Sequence, residues 1–251
     1  MPTRDVTAAY LRQGAMALMG LTIALNITWP LVSGVLRDVV TQSAILTFAA
    51  AALLHAWGAH GPTYASRLAS VVLLSSYSAT TFALLLTPLQ FSDRLGMSVM
   101  GVPLTIPLAW LMLLHPSLEL ARRATSNRRA AAVIAGCTAG SANLFVEPLL
   151  ASDAYFTLTT APGTLTVVLH SIAWCAVLSA TAYAVLDIAG APEETAYPGM
   201  PLLALLWVWL GNTVANAVPV APFLAHPVVA ATGFIGMAGV IVPAALAARR
   251  K

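Results

Sequence analysis

The sequence predicts an all-α integral membrane protein: about eight transmembrane helices in one bundle, a single transmembrane helical domain over residues 1–251, with N- and C-termini cytoplasmic. Three observations carry this expectation. Charged residues are 8% of the chain and hydrophobic residues 59%, with a mean hydropathy of +0.84. A soluble domain carries about a quarter charged residues, so this chain lacks the polar groups to cover a water-facing surface. The apolar runs are also long, and about 20 such residues cross a hydrocarbon core. Finally, the basic residues are distributed unevenly between alternate loops.

Taken in order, the expected spans are Gln13–Leu36, Ser43–Ala59, Leu68–Leu89, Ser98–Leu118, Ala130–Leu150, Gly163–Ala189, Gly199–Ala217 and Pro227–Ala248. The first is expected to be a span and not a signal peptide, because it is long and no small-residue cleavage site follows it. Assigning the N-terminus, the even-numbered loops and the C-terminus to one side places ten of the twelve basic residues there: Arg4, Arg12, Arg67, Arg122, Arg123, Arg128, Arg129, Arg249, Arg250 and Lys251. The other side keeps only Arg37 and Arg94. Seven helices would spoil that asymmetry, so the positive-inside rule favours eight. The loop Asp187–Pro198 carries Glu193, Glu194 and no basic residue, and acidic residues weigh little in this rule.

The net charge of +3 lies in the loops. The cluster from Arg122 to Arg129 reads as an anchor on an anionic leaflet, so the lipid bilayer is the expected partner and nucleic acid is not. Glu119 precedes Arg122 and Arg123 by three and four residues and is expected to pair with them on a helix end. Cys137 and Cys175 lie inside spans and read as small packing residues. No Cys or His spacing suggests a metal, and no phosphate loop, catalytic triad or nucleotide fingerprint is present. No cofactor is expected.

In hydrocarbon an unpaired polar group is costly, so the few polar residues inside the spans are the candidates for function. The segment "SANLFVEPLL" places Asn143 and Glu147 four residues apart on one helix face, in the outer half of the fifth span. Pro148 removes a backbone donor beside the carboxylate and is expected to kink the helix. Asn212 and Asn216 repeat the four-residue spacing in the outer half of the seventh span. Asn26, Trp29, Thr80, Thr81, Gly101, Pro103 and Pro107 fall at similar depth, which suggests a pocket open toward the outer leaflet. Each has a plainer reading. Asn and Thr bond neighbouring helices, Glu147 snorkels to headgroups, and His170 makes a structural hydrogen bond. Tyr77, Trp110 and Trp174 pack, and Trp29 and Tyr155 belong to aromatic belts.

Two segments carry more than composition. "GVPLTIPLAWLMLLHP" (Gly101–Pro116) and "SANLFVEPLLASDAYF" (Ser141–Phe156) together resemble the carotenoid biosynthesis protein family, the membrane family that includes bisanhydrobacterioruberin and carotenoid 1,2-hydratases. The matching residues are Gly101, Val102, Pro103, Pro107 and Trp110 in the first segment, and Glu147, Pro148, Tyr155 and Phe156 in the second. The resemblance runs from about Pro88 to Trp174. The chain departs from the family pattern at Asn143, where the family has an acid, near Thr80, where an acid is expected, and at "HSIAW", where only Trp174 is kept.

The resemblance implies hydration of the terminal C=C of a linear carotenoid, with other carotenoid biosynthesis enzymes as partners. That chemistry needs an acid strong enough to protonate an alkene, aromatic faces for the cation, and a held water. Glu147 is the acid, the only buried one expected from the sequence, and Asn143 orients the water or the carboxyl. Trp110, Trp174, Tyr155 and Phe156 stabilise the cation, and Pro103, Asn212, Asn216 and His170 complete the substrate contacts. A cyclase would use the same protonation with an internal double bond as the trap. A non-catalytic relative would bind or present the carotenoid. A small-solute transporter would call for paired ionisable residues at mid-membrane or broken helices in matching halves, and neither pattern is evident.

Overall fold

The computed structural model describes residues 3–157, 164–190, 199–217 and 227–248. They form an all-α helical bundle with several long apolar helices, consistent with a multi-pass membrane protein. The helices are α1 (Thr3–Thr28), α2 (Gly34–His60), α3 (Pro62–Leu86), α4 (Thr105–Ala124), α5 (Arg128–Ser141), α6 (Asn143–Ser152), α7 (Thr164–Ile188), α8 (Gly199–Leu206), α9 (Asn212–Ala217) and α10 (Pro227–Ala248). Among the described residues, five helical segments are long and apolar enough to cross a membrane: Val6–Leu31, Gly34–His60, Pro62–Leu86, Arg128–Ala151 and Val168–Ile188.

Boundaries shift from the sequence expectation where backbone chemistry intervenes. The first helix begins at Thr3 and ends at Thr28, not Leu36, because Trp29-Pro30-Leu31 forms a 3-10 turn and Gly34 takes φ +58°. The second helix therefore starts nine residues earlier than Ser43, at Gly34. Gly61, at φ +88°, stops α2, and Pro62 opens α3 at the position that needs no amide donor.

The fourth span does not start at Ser98. Residues Ser98–Val99 (β2) and Val102–Pro103 (β3) pair as a small hairpin, and α4 begins at Thr105. Met100 and Gly101 form the turn at φ +49° and +80°, the left-handed backbone that suits a tight hairpin.

The fifth span is broken at Ala142, between α5 and α6, and not beside Pro148. Pro148 lies inside α6, six residues beyond the break. The seventh span is interrupted by a π-turn at Trp207–Gly211, joining α8 to α9.

Helix α4 is the axis of the bundle. Its residues Leu111, Leu113, Leu114, Leu118, Leu120 and Ala121 are buried, and it packs against α2, α3, α5, α8 and α10. From Leu113 to Ala121 every residue of α4 is buried, so all faces of this stretch meet other parts of the protein. Polar residues on such a helix face protein and not lipid, so His115, Ser117 and Glu119 are tolerated there.

Two interfaces use glycines to bring backbones together. A Cβ at Gly140 would meet the Cys175 backbone nitrogen of α7 at 2.7 Å, and one at Gly136 would overlap Ser179. The motif Gly136-Cys-Thr-Ala-Gly140 is thus a small-xxx-small seam between α5 and α7. On the other flank Gly233 and Gly236 of α10 receive Phe145 and Leu144 of α6.

Candidate functional site

Glu147 is buried, at 6% exposure, and does not snorkel. Asn143, one turn earlier on α6, donates its amide to Oε2 at 2.7 Å. His170 of α7 places Nδ1 2.8 Å from Oε1. The i, i+4 spacing does this work: α6 begins at Asn143, just after the break at Ala142, and keeps Asn143 and Glu147 on one face. With the carboxyl protonated, its O–H donates to Nδ1; with it ionised, the ring N–H donates. The Glu147 side chain is 7% exposed and that of His170 39%, so the imidazole is the open edge of the pair.

Trp174 lies one helical turn beyond His170 on α7 and faces Trp110 of α4. Their ring centroids are 4.4 Å apart with planes inclined by 32°. Trp110 is buried and Trp174 partly so. One member of each pair, His170 and Trp174, thus sits on successive turns of α7.

The other expected site residues go elsewhere. Tyr155 is fully buried and donates to Asp38 or bonds Thr41, at 3.0 and 2.8 Å. Phe156 belongs to β4 (Phe156–Thr157), which pairs with β1 (Gln90–Phe91), and its ring meets Phe91 edge-on. Pro103 is buried in β3. Asn212 bonds the Val208 carbonyl of its own π-turn at 2.7 Å. The side chain of Asn216 lies outside the described residues. Thr80 and Thr81 bond carbonyls of their own helix, Asn26 is exposed, and the Trp29 indole donates to Thr41.

Tyr155 is part of a polar cap at one end of the bundle. Arg37 pairs with Asp153 at 2.9 Å, and Arg94 reaches Asp38 at 2.8 Å and Asp153 at 3.3 Å. Arg94 also lies over the Tyr155 ring, 4.4 Å from its centroid. The cap ties the start of α2, the loop before α4 and the loop after α6 to each other, and its Asp153 lies six residues along the chain from Glu147. It combines opposite charges from three expected outer loops, a signal that the sequence contains in Arg37-Asp38, Arg94 and Asp153.

Removing the Arg94 guanidinium leaves Asp38 and Asp153 without their shared cation. Arg94→Ala is expected to cost about 1–2 kcal/mol, between exposed and buried pairs, read as a lower thermal midpoint in detergent. Burial first, then the bond to Asp38, holds the Tyr155 hydroxyl above the ordinary tyrosine range. A raised folded-state pKa means that the unfolded chain loses this proton first. The cap therefore keeps its full stability at neutral pH and weakens as pH rises past about 10, which a pH series of thermal midpoints will show.

Glu119 overturns one expectation. It is a second buried acid, at 7% exposure, so Glu147 is not alone. Its carboxylate meets His60 Nε2 of α2 at 2.6 Å, a partner that sequence spacing did not indicate. The contact joins residues 59 positions apart, which only packing decides.

Fold and site together define a class: a bundle of long apolar helices, consistent with a multi-pass membrane protein, with an acid–amide–imidazole set buried beside an indole pair. No protein-family model matches the chain, and no curated protein or solved structure does either.

Proposed function

We propose that the chain is a membrane carotenoid biosynthesis protein, a hydratase that adds water to a terminal C=C of a linear carotenoid. The observation that carries the reading is the buried Glu147 carboxyl held between Asn143 and His170, one turn from the Trp110–Trp174 pair. Glu147 gives its proton to one alkene carbon and becomes a carboxylate. The tertiary cation at the other carbon lies against an indole face. Water adds its oxygen to that carbon, and its surplus proton returns to the Glu147–His170 pair. One water is consumed, and the protein ends as it began.

The reading includes eight spans with both termini in the cytoplasm. Supporting it, Arg37 and Arg94 converge on one cap, whereas Arg67 and Arg128 bond Ile188 and Asp187 at the other end of the bundle. The partners in this reading are a hydrophobic carotenoid, the cell membrane and neighbouring enzymes of the same chemistry.

The test is expression in a bacterium that accumulates lycopene, followed by chromatography and mass spectrometry of the pigments. A gain of one or two waters is the expected result. An unchanged mass with a new retention time would instead establish a cyclase. No new product from lycopene or from a C50 carotenoid, with the protein inserted, would overturn the enzymatic reading.

One observation favours a second reading, a non-catalytic relative that binds or presents a carotenoid. Both Glu147 oxygens already have partners, as in a pair that only fastens α6 to α7. The two readings differ at Trp110. A desolvated cation–π contact contributes roughly 2 kcal/mol, so in a hydratase Trp110→Leu should slow turnover about 30-fold. In a carrier it changes pigment retention alone.

A further inference from the structure

The hairpin of β2 and β3, between α3 and α4, has no part in the Glu147 site. Its inner side is fixed. Val102 and Pro103 are buried, and the Leu104 amide donates to the Met97 carbonyl at 3.0 Å. Its outer side is bare and apolar. Met97 and Met100 are 75% and 79% exposed, and Val99 and Leu104 are exposed as well. From Leu95 to Leu114 the chain carries no charged residue.

The tip of the hairpin is held against α3. The Tyr77 hydroxyl donates to the Val99 carbonyl at 3.0 Å, and a Cβ at Gly101 would lie 3.6 Å from the Leu84 side chain. Tyr77 stands nine residues before the end of α3 at Leu86, roughly 14 Å at 1.5 Å per residue, and Leu84 two. The tip therefore lies beside the last turns of α3 and not past its end. Leu85 and Leu86 are exposed there too, so the hairpin and the end of a helix long enough to cross a membrane both present apolar surface at that level.

Two details are out of place for a turn in water. Met100 takes φ +49°, the left-handed backbone that Gly, Asn and Asp adopt most readily, and a hydrated turn draws on those residues. The Val99 carbonyl also takes a donor from the Tyr77 side chain. In water the solvent would satisfy that carbonyl without ordering a tyrosine, whereas among acyl chains the protein must supply the donor itself.

We propose that the hairpin is a membrane-interface anchor. Met97, Met100 and Leu104 enter the acyl chains of the leaflet on the cap side, and the backbone stays at the headgroup boundary. That boundary is as deep as the hairpin can go, because a two-stranded ladder has open edges and these do not occur inside hydrocarbon. Methionine suits the place, since its flexible apolar chain adapts to irregular surroundings. The tip has no charge with which to select a headgroup, so the partner is the acyl chain of any bilayer lipid. Arg94, the nearest charge before it, is engaged by Asp38 and Asp153. The proposal rests on the chain spanning a membrane and not on the chemistry at Glu147.

Met100→Cys, Leu74→Cys and Ser126→Cys, each in a full chain whose Cys137 and Cys175 are replaced by alanine, test this with a polarity-sensitive fluorophore in phosphatidylcholine nanodiscs. Leu74 is exposed at the midpoint of α3, and Ser126 lies in the exposed turn between α4 and α5. The expected result is a blue-shifted emission at Met100, as at Leu74. Lipid spin-labelled near its headgroup should quench Met100 most, and lipid labelled near the chain end should quench Leu74 most. Emission at Met100 like that at Ser126, with Leu74 blue-shifted, would put the tip in water and overturn the proposal. Water-like emission at Leu74 as well would overturn the membrane reading on which it stands. Where the cysteine-free chain does not fold, the unmodified one supplies a second reading. A lipid with a photoreactive acyl chain should leave adducts at Met97 or Met100, in the tryptic peptide Leu95–Arg122. Adducts on α3 with none on the hairpin would overturn the proposal.

Discussion

Glu147→Gln is expected to abolish product formation while the protein still folds and inserts. The glutamine amide fills the same volume and keeps partners at both ends, so the α6–α7 contact survives. It carries no transferable proton. General acid catalysis is typically worth 10²–10⁴-fold, and Glu147 is the acid of this mechanism, so the loss should reach at least about 10³-fold. Asn143→Ala removes one bond to Oε2 and leaves the acid in place, so it should cost far less, about tenfold, as for a single hydrogen bond to a charged or polar partner. Pigment mass spectrometry against equal amounts of inserted protein reads both. Turnover by Glu147→Gln within threefold of the parent would remove the carboxyl from the mechanism and favour the pigment carrier.

Gly136→Ala combined with Gly140→Ala should disrupt the bundle more than any pair of exposed substitutions. Each added methyl would press on the α7 backbone at Ser179 and Cys175, where no side chain is free to turn aside. Overpacking of this kind costs typically 1–3 kcal/mol per site, and the only relief is to move α7 away from α5. That displacement carries a second consequence. His170 and Trp174 ride on α7, whereas Glu147 rides on the continuation of α5, so separating the helices also parts the acid from its imidazole. The expected outcome is a thermal midpoint lower by several degrees, together with loss of whatever activity or pigment binding the parent has. Gly20→Ala is the control, because a Cβ there meets nothing within 4 Å. Alanine is the better helix former, so that variant should match or slightly exceed the parent. Equal midpoints for the double variant and the control would mean that the α5–α7 seam is looser than described.

Composition made the class legible, and hydropathy located the helical segments, because the bilayer requirement acts on residue type and run length alone. The pairing of Asn143 with Glu147 was legible for a similar reason: it depends only on helix geometry. The hairpin at Ser98–Pro103 was not, since its residues read as the start of an apolar run and only the left-handed backbone at Met100 and Gly101 turns the chain. His115 and Glu119 stand four apart in the fourth run, on one helix face, but their partners His55 and His60 lie on another helix. The residues of α2 that meet them are 59 and 60 positions away, and no local spacing points to them.

What the sequence by itself determined, then, is an apolar helical chain with a few polar residues at set depths, since those follow from side-chain transfer energies and the rise of a helix. Which polar residues meet was decided by tertiary structure alone. Glu147 finds His170 because Gly136 and Gly140 let α7 lie against α5. Glu119 finds His60, and Arg94 finds Asp38 and Asp153, because α4 sits at the centre and the loops at its start fold over α2. In hydrocarbon each such group must have a partner, but the chain states only the need. The packing of small residues across helix seams chooses who supplies it.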